Sequence, residues 1–176
     1  MIRDRRNEDL DRLCDLLSEL DDQAHVLGTR PPRDWLQEVD AERSWVFDQA
    51  PVSAAPTRNV VGHVQIYLPP EARWVHDVAA RTGRRVGELL VIGRVFVKPA
   101  KHAYGIARYL LKESVKHVET RGSLPVLDPA DLALIPPSLC AKLGFRELHT
   151  EDHTPTPWPG QSDPQGPMTT DFPLIS

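Results

Sequence analysis

The chain has 176 residues, 25 acidic side chains against 21 Lys and Arg, and a formal net charge of −4. That length fills one domain, residues 1–176, with a sizeable core and is too short for two; with no basic excess, the chain lacks the electrostatic footprint of a nucleic-acid partner. No apolar run approaches the roughly 20 residues that cross a bilayer, charges at Arg3, Asp4 and Arg5 leave no apolar signal core, and two cysteines, Cys14 and Cys140, make no disulfide framework and predict a reducing, cytoplasmic setting.

A short first strand is predicted at residues 2–5. From Asn7, the apolar positions Leu10, Leu13, Cys14, Leu16, Leu17 and Leu20 recur at helical spacing, with Asn7 or Asp9 as N-cap. The charges over residues 3–12 alternate in sign, the look of a solvated helix start. A second short helix begins near Arg33. Residues 44–48 (Ser-Trp-Val-Phe-Asp) form a strand by β-branched and aromatic content, and residues 60–68 are its hairpin partner across a loop at 51–58. Residues 71–81 place Trp74, Val75, Val78 and Ala79 at helical spacing. Residues 88–97 are a near-continuous apolar run, the mark of a central strand covered on both faces.

Residues 106–121 are the strongest helical pattern, with Ile106, Leu110, Leu111, Val115 and Val118 inward and Gly122 as the stop. A buried strand follows at 124–128, then a short helix from Pro136 and Pro137 to Gly144, a strand at 145–150, a proline-rich loop or lid at about 151–167, and a closing strand at 168–174. Strands interleaved with helices predict an α/β (α+β) fold with a mixed, mainly antiparallel sheet of six to seven strands flanked by about four helices. His149 and His153 have a metal-like spacing but no further ligands nearby, so no metal site is expected.

The most informative stretch is 94–108. It reads as an apolar strand, a loop opened by Pro99, and a small-residue turn into a helix, where unpaired N–H groups receive a phosphate and Gly105 and Ala107 keep Cβ bulk away. The order His102-Ala103-Tyr104-Gly105-Ile106-Ala107 after Val97-Lys98-Pro99, with Leu143-Gly144-Phe145 after a short helix, resembles the GNAT superfamily of acyl-CoA-dependent N-acetyltransferases; the element order agrees from Ile2 to Thr150. The resemblance implies acetyl-CoA as co-substrate in a cleft between splayed fourth and fifth strands. Backbone groups of Val95, Phe96 and Val97 are expected to hold the pantetheine arm, and amides from Ala103 to Arg108 (Ala103, Tyr104, Gly105, Ile106, Ala107, Arg108) the pyrophosphate. His102 stands where the family has Gln or Arg, with Lys101 and Arg108 near it to supply positive charge.

By the same resemblance the oxyanion donor is the N–H of Phe96 or Val97. The family's acidic strand position is Val91, so the nearest carboxylate, Glu88, is the candidate base beside His63 and His76. The family's general-acid tyrosine position holds Cys140, a thiol near the basicity of the departing one, or equally an apolar residue on a helix face. Trp35, Trp45, Trp74 and Trp158 are candidates for an acceptor pocket, or core; Asp21, Asp22 and Asp77 are candidates for attracting a cationic amine, or solvated acids. The implied activity is transfer of an acetyl group to a primary amine, of a small molecule, by direct attack in a ternary complex. Many relatives are dimers, so the resemblance extends to a homodimer. The alternative is a catalytically weak acyl-CoA-binding sensor or scaffold, kept open by the missing tyrosine and displaced glutamate.

Overall fold

A computed structural model describes residues 1–20, 26–49, 59–147 and 174–175. In chain order these form β1 (Ile2–Asp4), α1 (Asp9–Ser18), α2 (Pro32–Gln37), β2 (Ala41–Asp48), β3 (Val60–Tyr67), α3 (Arg73–Thr82), β4 (Leu89–Val97), α4 (Ala103–Thr120), β5 (Leu124–Leu127), α5 (Pro137–Lys142), β6 (Arg146–Glu147) and β7 (Leu174–Ile175). Tight 3-10 turns at Val86–Glu88 and Pro129–Leu134 lead into β4 and out of β5. The seven strands form one sheet in the order β1-β2-β3-β4-β5-β7-β6. Every neighbouring pair is antiparallel except β4 and β5, which run parallel because α4 carries the chain back across the sheet. The mixed, mainly antiparallel sheet expected from the sequence is present, flanked by the α-helices named above.

Alternation along β2 shows how the sheet is covered. Trp45 and Phe47 pack into the cluster of Leu110, Leu111 and Val118 of α4, while Val46 between them packs with Leu13 and Leu17 of α1 and Trp35 and Leu36 of α2. α4 lies on its face closely because Gly62 of β3 opposes it: a Cβ there would sit 3.1 Å from Leu110 Cδ1. α3 caps a third cluster through Val75 and Val78 against Leu89 and Val126. Gly83 ends α3 with φ of 66°, and Gly122 follows α4 with φ of 75°, conformations in which a Cβ is strained.

The charged N-terminal stretch departs from expectation. Neither Asn7 nor Asp9 caps α1; Glu8 holds the cap position without a side-chain bond. Asp9 is instead buried and takes both Arg3 Nη atoms at 2.8 Å, while Arg3 Nε reaches Asp48 Oδ2 at 2.9 Å. This pairing ties β1 to α1 and β2. Burial alone would raise the Asp9 pKa, but the hydrogen bonds from Arg3 and the Arg6 N–H bring it below the usual carboxylate value. Residues 51–58, the lid at 151–167 and Trp158, His149, His153, Asp21 and Asp22 lie outside the described residues. Of the strands expected at 145–150 and 168–174, Arg146–Glu147 and Leu174–Ile175 are described.

Candidate active site

The central feature is the parting of β4 from β5. The two pair from Leu89↔Leu124 to Ile92↔Leu127, and Asp128 N–H still donates to Ile92 O at 3.0 Å before the chain turns away. At the same level β4 bulges: His63 faces Phe96 but Gln65 faces Gly93, so one extra β4 residue lies between them. Arg94 occupies the bulge with φ of 56°. Its N–H donates to Asp131 Oδ2, as does that of Val95 at 3.4 Å, and its carbonyl accepts from His63 Nδ1–H at 3.0 Å. The bulge is therefore clamped from both sides.

Past the bulge, β4 has a strand partner on one edge only among the described residues. Lys98 N–H donates to Val61 O at 2.7 Å, which makes His63 and Phe96 the next hydrogen-bonded pair and leaves the main chain of Val97 facing the open edge. A cleft of about 160 Å³ lies there, lined by Val95, Phe96, Val97, Ala103, Tyr104, Ala107, Leu134, Ile135 and Pro136. Six of the residues expected to hold a cofactor thus meet at one cleft. His102, Gly105 and Ile106 line a separate hollow with Met1, Phe47 and Tyr109. Of the two amides expected to receive an oxyanion, that of Phe96 is committed to β3, and Val97 alone remains.

The α4 start narrows the expected phosphate donors. Ala103 N–H donates to Ala100 O at 3.0 Å and Ile106 N–H to His102 O at 3.1 Å, while Ala107 and Arg108 lie beyond the unpaired first turn. Tyr104 and Gly105 keep N–H groups with no backbone acceptor among the described residues. A Cβ at Gly105 would meet nothing within 4 Å, so this glycine is not there to seat the helix on the sheet. Lys142 of α5, which the sequence did not single out, places Nζ 5.4 Å from the Tyr104 ring centre and adds a cation beside this turn.

The expected acid–base residues are placed otherwise. Glu88 sits before β4, about 23 Å by strand rise from Val95, and its Oε2 accepts the Arg85 N–H at 2.7 Å, a bond that holds its pKa below the usual range. It serves the 3-10 turn, not the cleft. His63 is fully buried against the Phe96 ring, centroids 5.2 Å apart, and burial with the Arg5 charge pushes it down to about 3. It is a neutral clamp of the bulge. Cys140 is packed in the core with Ile135, Leu139 and Phe145, and burial pushes its thiol pKa up, so it is an apolar residue of the helix face and no wall of the cleft. His76 and Asp77 are exposed on α3, Trp35 is core, and Trp45 donates to Asp4 Oδ1 at 3.1 Å.

What the sequence reading missed is a buried polar set beside the bulge. Arg94 Nε donates to Trp35 O at 3.2 Å, Nη2 to Glu38 Oε2 at 3.0 Å, and Nη1 stands 3.5 Å from Asp128 Oδ2; its guanidinium carbon lies 4.6 Å over the Trp35 ring. Tyr67 O–H donates to Asp128 Oδ2, and its ring has room because Gly93 carries no side chain. Asp128 Oδ1 accepts the Ala130 N–H at 3.0 Å. Burial and the Asp128 charge push Asp131 up to about 7. A single arginine inside an apolar strand, and two aspartates three residues apart at a buried strand's end, were the available signals.

An open-edged strand, a parallel neighbour that diverges from it and a helix start with unpaired amides meet at a cleft in the split sheet of an α/β protein. The fold is that of the GNAT acetyltransferases. A putative acetyltransferase from Staphylococcus aureus Mu50 superposes with a TM-score of 0.57 at 23% identity, over 84% of this chain and 92% of that one. Arabidopsis thaliana NAA60 in complex with acetyl-CoA gives 0.59 at 17%, over 99% and 95%. The aminoglycoside 6'-N-acetyltransferase from Enterococcus faecium gives 0.54 at 14%, over 99% and 93%. No family model and no curated protein matches the chain.

Proposed function

We propose that the protein is an acetyl-CoA-dependent N-acetyltransferase acting on a primary amine of a small molecule. The observation that carries this reading is the coincidence, at one place, of the open β4 edge at Val97, the cleft between that edge and α4, and the unpaired Tyr104 and Gly105 amides. In it, Val97 pairs with the pantetheine arm as a strand would, Tyr104 and Gly105 donate to the pyrophosphate, and Lys101, Arg108 and Lys142 add positive charge. Acetyl transfer then requires a neutral amine beside the thioester, a donor for the carbonyl oxygen and a proton for the leaving sulfur. Holding both reactants in one cleft supplies much of the rate. Acetyl-CoA complexes among proteins of this fold support the co-substrate; the amine follows from the same likeness.

The test is calorimetric titration with acetyl-CoA followed by free-thiol release across a panel of primary amines. Saturable binding with turnover of at least one amine is expected. Binding without turnover transfers the reading to an acyl-CoA sensor, and no binding ends both.

A further inference from the structure

We infer that Asp131 is the group that takes the proton from the acceptor's ammonium, with Asp128, Tyr67 and Arg94 as the frame that positions it. This rests on the N-acetyltransferase reading above. Of the four carboxylate oxygens of Asp128 and Asp131, three have donors: Asp128 Oδ1 from Ala130 N–H, Asp128 Oδ2 from Tyr67 and Arg94, and Asp131 Oδ2 from the Arg94 and Val95 amides. The fourth, Asp131 Oδ1, is buried with no hydrogen-bond partner among the described residues, on a side chain that is 0% exposed. A buried carboxylate oxygen is costly unless it carries a proton or meets a donor, so Oδ1 is the place where this pair takes up a proton or a donating ligand.

Position says which ligand. Val95 lines the cleft, and its N–H reaches Asp131, so the carboxylate lies one hydrogen bond behind the cleft wall, at the level where β4 and β5 part. The groups facing it are Arg94 on β4, Asp128 on its own turn and Tyr67 of β3 behind Asp128; Glu38, just after α2, joins through Arg94 and also holds Arg30 at 2.6 Å. Two arginines, Arg94 and Arg30, thus meet three carboxylates, one positive charge short of balance while Asp131 is ionised, which favours a further cation over an anion. In the step proposed, R–NH3+ in the cleft passes one proton through a water at the Val95 edge to the enclosed Asp131 Oδ1, and the freed lone pair attacks the thioester carbonyl carbon. As the C–N bond forms, the C–S bond breaks. The second amine proton goes to the departing sulfur, and Asp131 releases its proton to water.

The test compares the wild type with Asp131→Asn and Asp131→Glu, using putrescine, kanamycin and a tripeptide with a free N-terminus as acceptors. Asn keeps an oxygen for the bulge amides but has no place for the proton. It is expected to lower kcat by about 100-fold or more with acetyl-CoA affinity unchanged, and to abolish the rise of kcat/KM centred near pH 7 that is expected of the wild type. Glu should recover part of the rate. An Asn variant within about threefold of wild type, or one that keeps the rise near pH 7, overturns the assignment. Should Asn fail to fold by circular dichroism, the wild-type profile decides: no rise between pH 6 and 8 overturns it. Acetyl-CoA binding without turnover of any of the three acceptors removes the amine and Asp131's role together, whereas no binding defeats the parent reading instead.

Discussion

Arg94 is an unusual residue to find in a central strand, being left-handed at φ of 56° and charged while only 5% exposed. Its backbone prefers glycine and its side chain requires arginine, and the two demands separate by substitution. Arg94→Ala loses the contacts to Glu38, Asp128 and the Trp35 ring yet keeps the strain. Arg94→Gly loses the same contacts and relieves the strain, so it should be the more stable variant by about 1 kcal/mol, measured by urea unfolding. Equal midpoints would mean the bulge geometry itself is unstrained. The Cys140 thiol makes a different prediction: Cys140→Ala should reduce stability by about 1 kcal/mol through lost packing and leave the thiol-release rate within twofold. A tenfold drop in rate would reinstate it as the acid.

At the scale of the element, α4 joins the core to the cleft. Its buried stripe of Ile106, Leu110, Leu111 and Val118 holds the helix on the sheet, and its exposed start offers the Tyr104 and Gly105 amides. Leu110→Ala should destabilise by about 2–5 kcal/mol by calorimetry, since Leu110 is 0% exposed and meets Gly62. Gly105→Glu should leave the helix intact, because a glutamate in the first turn suits the helix dipole and a Cβ there meets nothing. It should nevertheless abolish acetyl-CoA binding by placing a negative charge at the phosphate donors; unchanged affinity would refute that placement. Both halves of α4 were legible in the sequence, the stripe by its 3.6-residue period and the start by its small residues. β4 was legible as an apolar run, but its bulge was not, since the extra residue is visible only against the register of β3. Asp131 escaped for a related reason: its partners are at positions 94 and 95, and no local pattern carries a contact across 37 residues of chain.

Across the whole molecule, two buried groups bend stability with pH in opposite directions. His63 is held neutral with its pKa down at about 3, so its contribution is present above the unfolded value of about 6.5 and is lost as pH falls. Asp131 is held protonated up to about 7, so its contribution is present below about pH 4 and is lost as pH rises through 7. Between about pH 4.5 and 6.5 the folded chain lacks one proton the unfolded chain binds and holds one it has released, and the two slopes cancel. Urea melts across this range should be nearly flat for these two groups in the wild type. They should climb with pH in Asp131→Asn, where His63 is left unopposed. A slope unaffected by the substitution would show that Asp131 is ionised in the fold. The sheet also depends on its last strand: Leu174–Ile175 lies between β5 and β6 and pairs with both. Removing residues 174–176 should lower Tm by several degrees and loosen β6 before β5, whose other edge is held by β4.

The open edge of β4 has a consequence for hydrogen exchange. Its neighbours Phe96 and Lys98 spend their amide protons on β3, so in the free protein Val97 is a fast-exchanging site set between two slow ones. On the proposed reading, in which the pantetheine arm pairs with Val97, occupancy of the cleft should convert this fast–slow alternation into continuous protection. One residue's deuterium uptake would then count bound molecules directly, without knowledge of the acceptor and without waiting for a turnover.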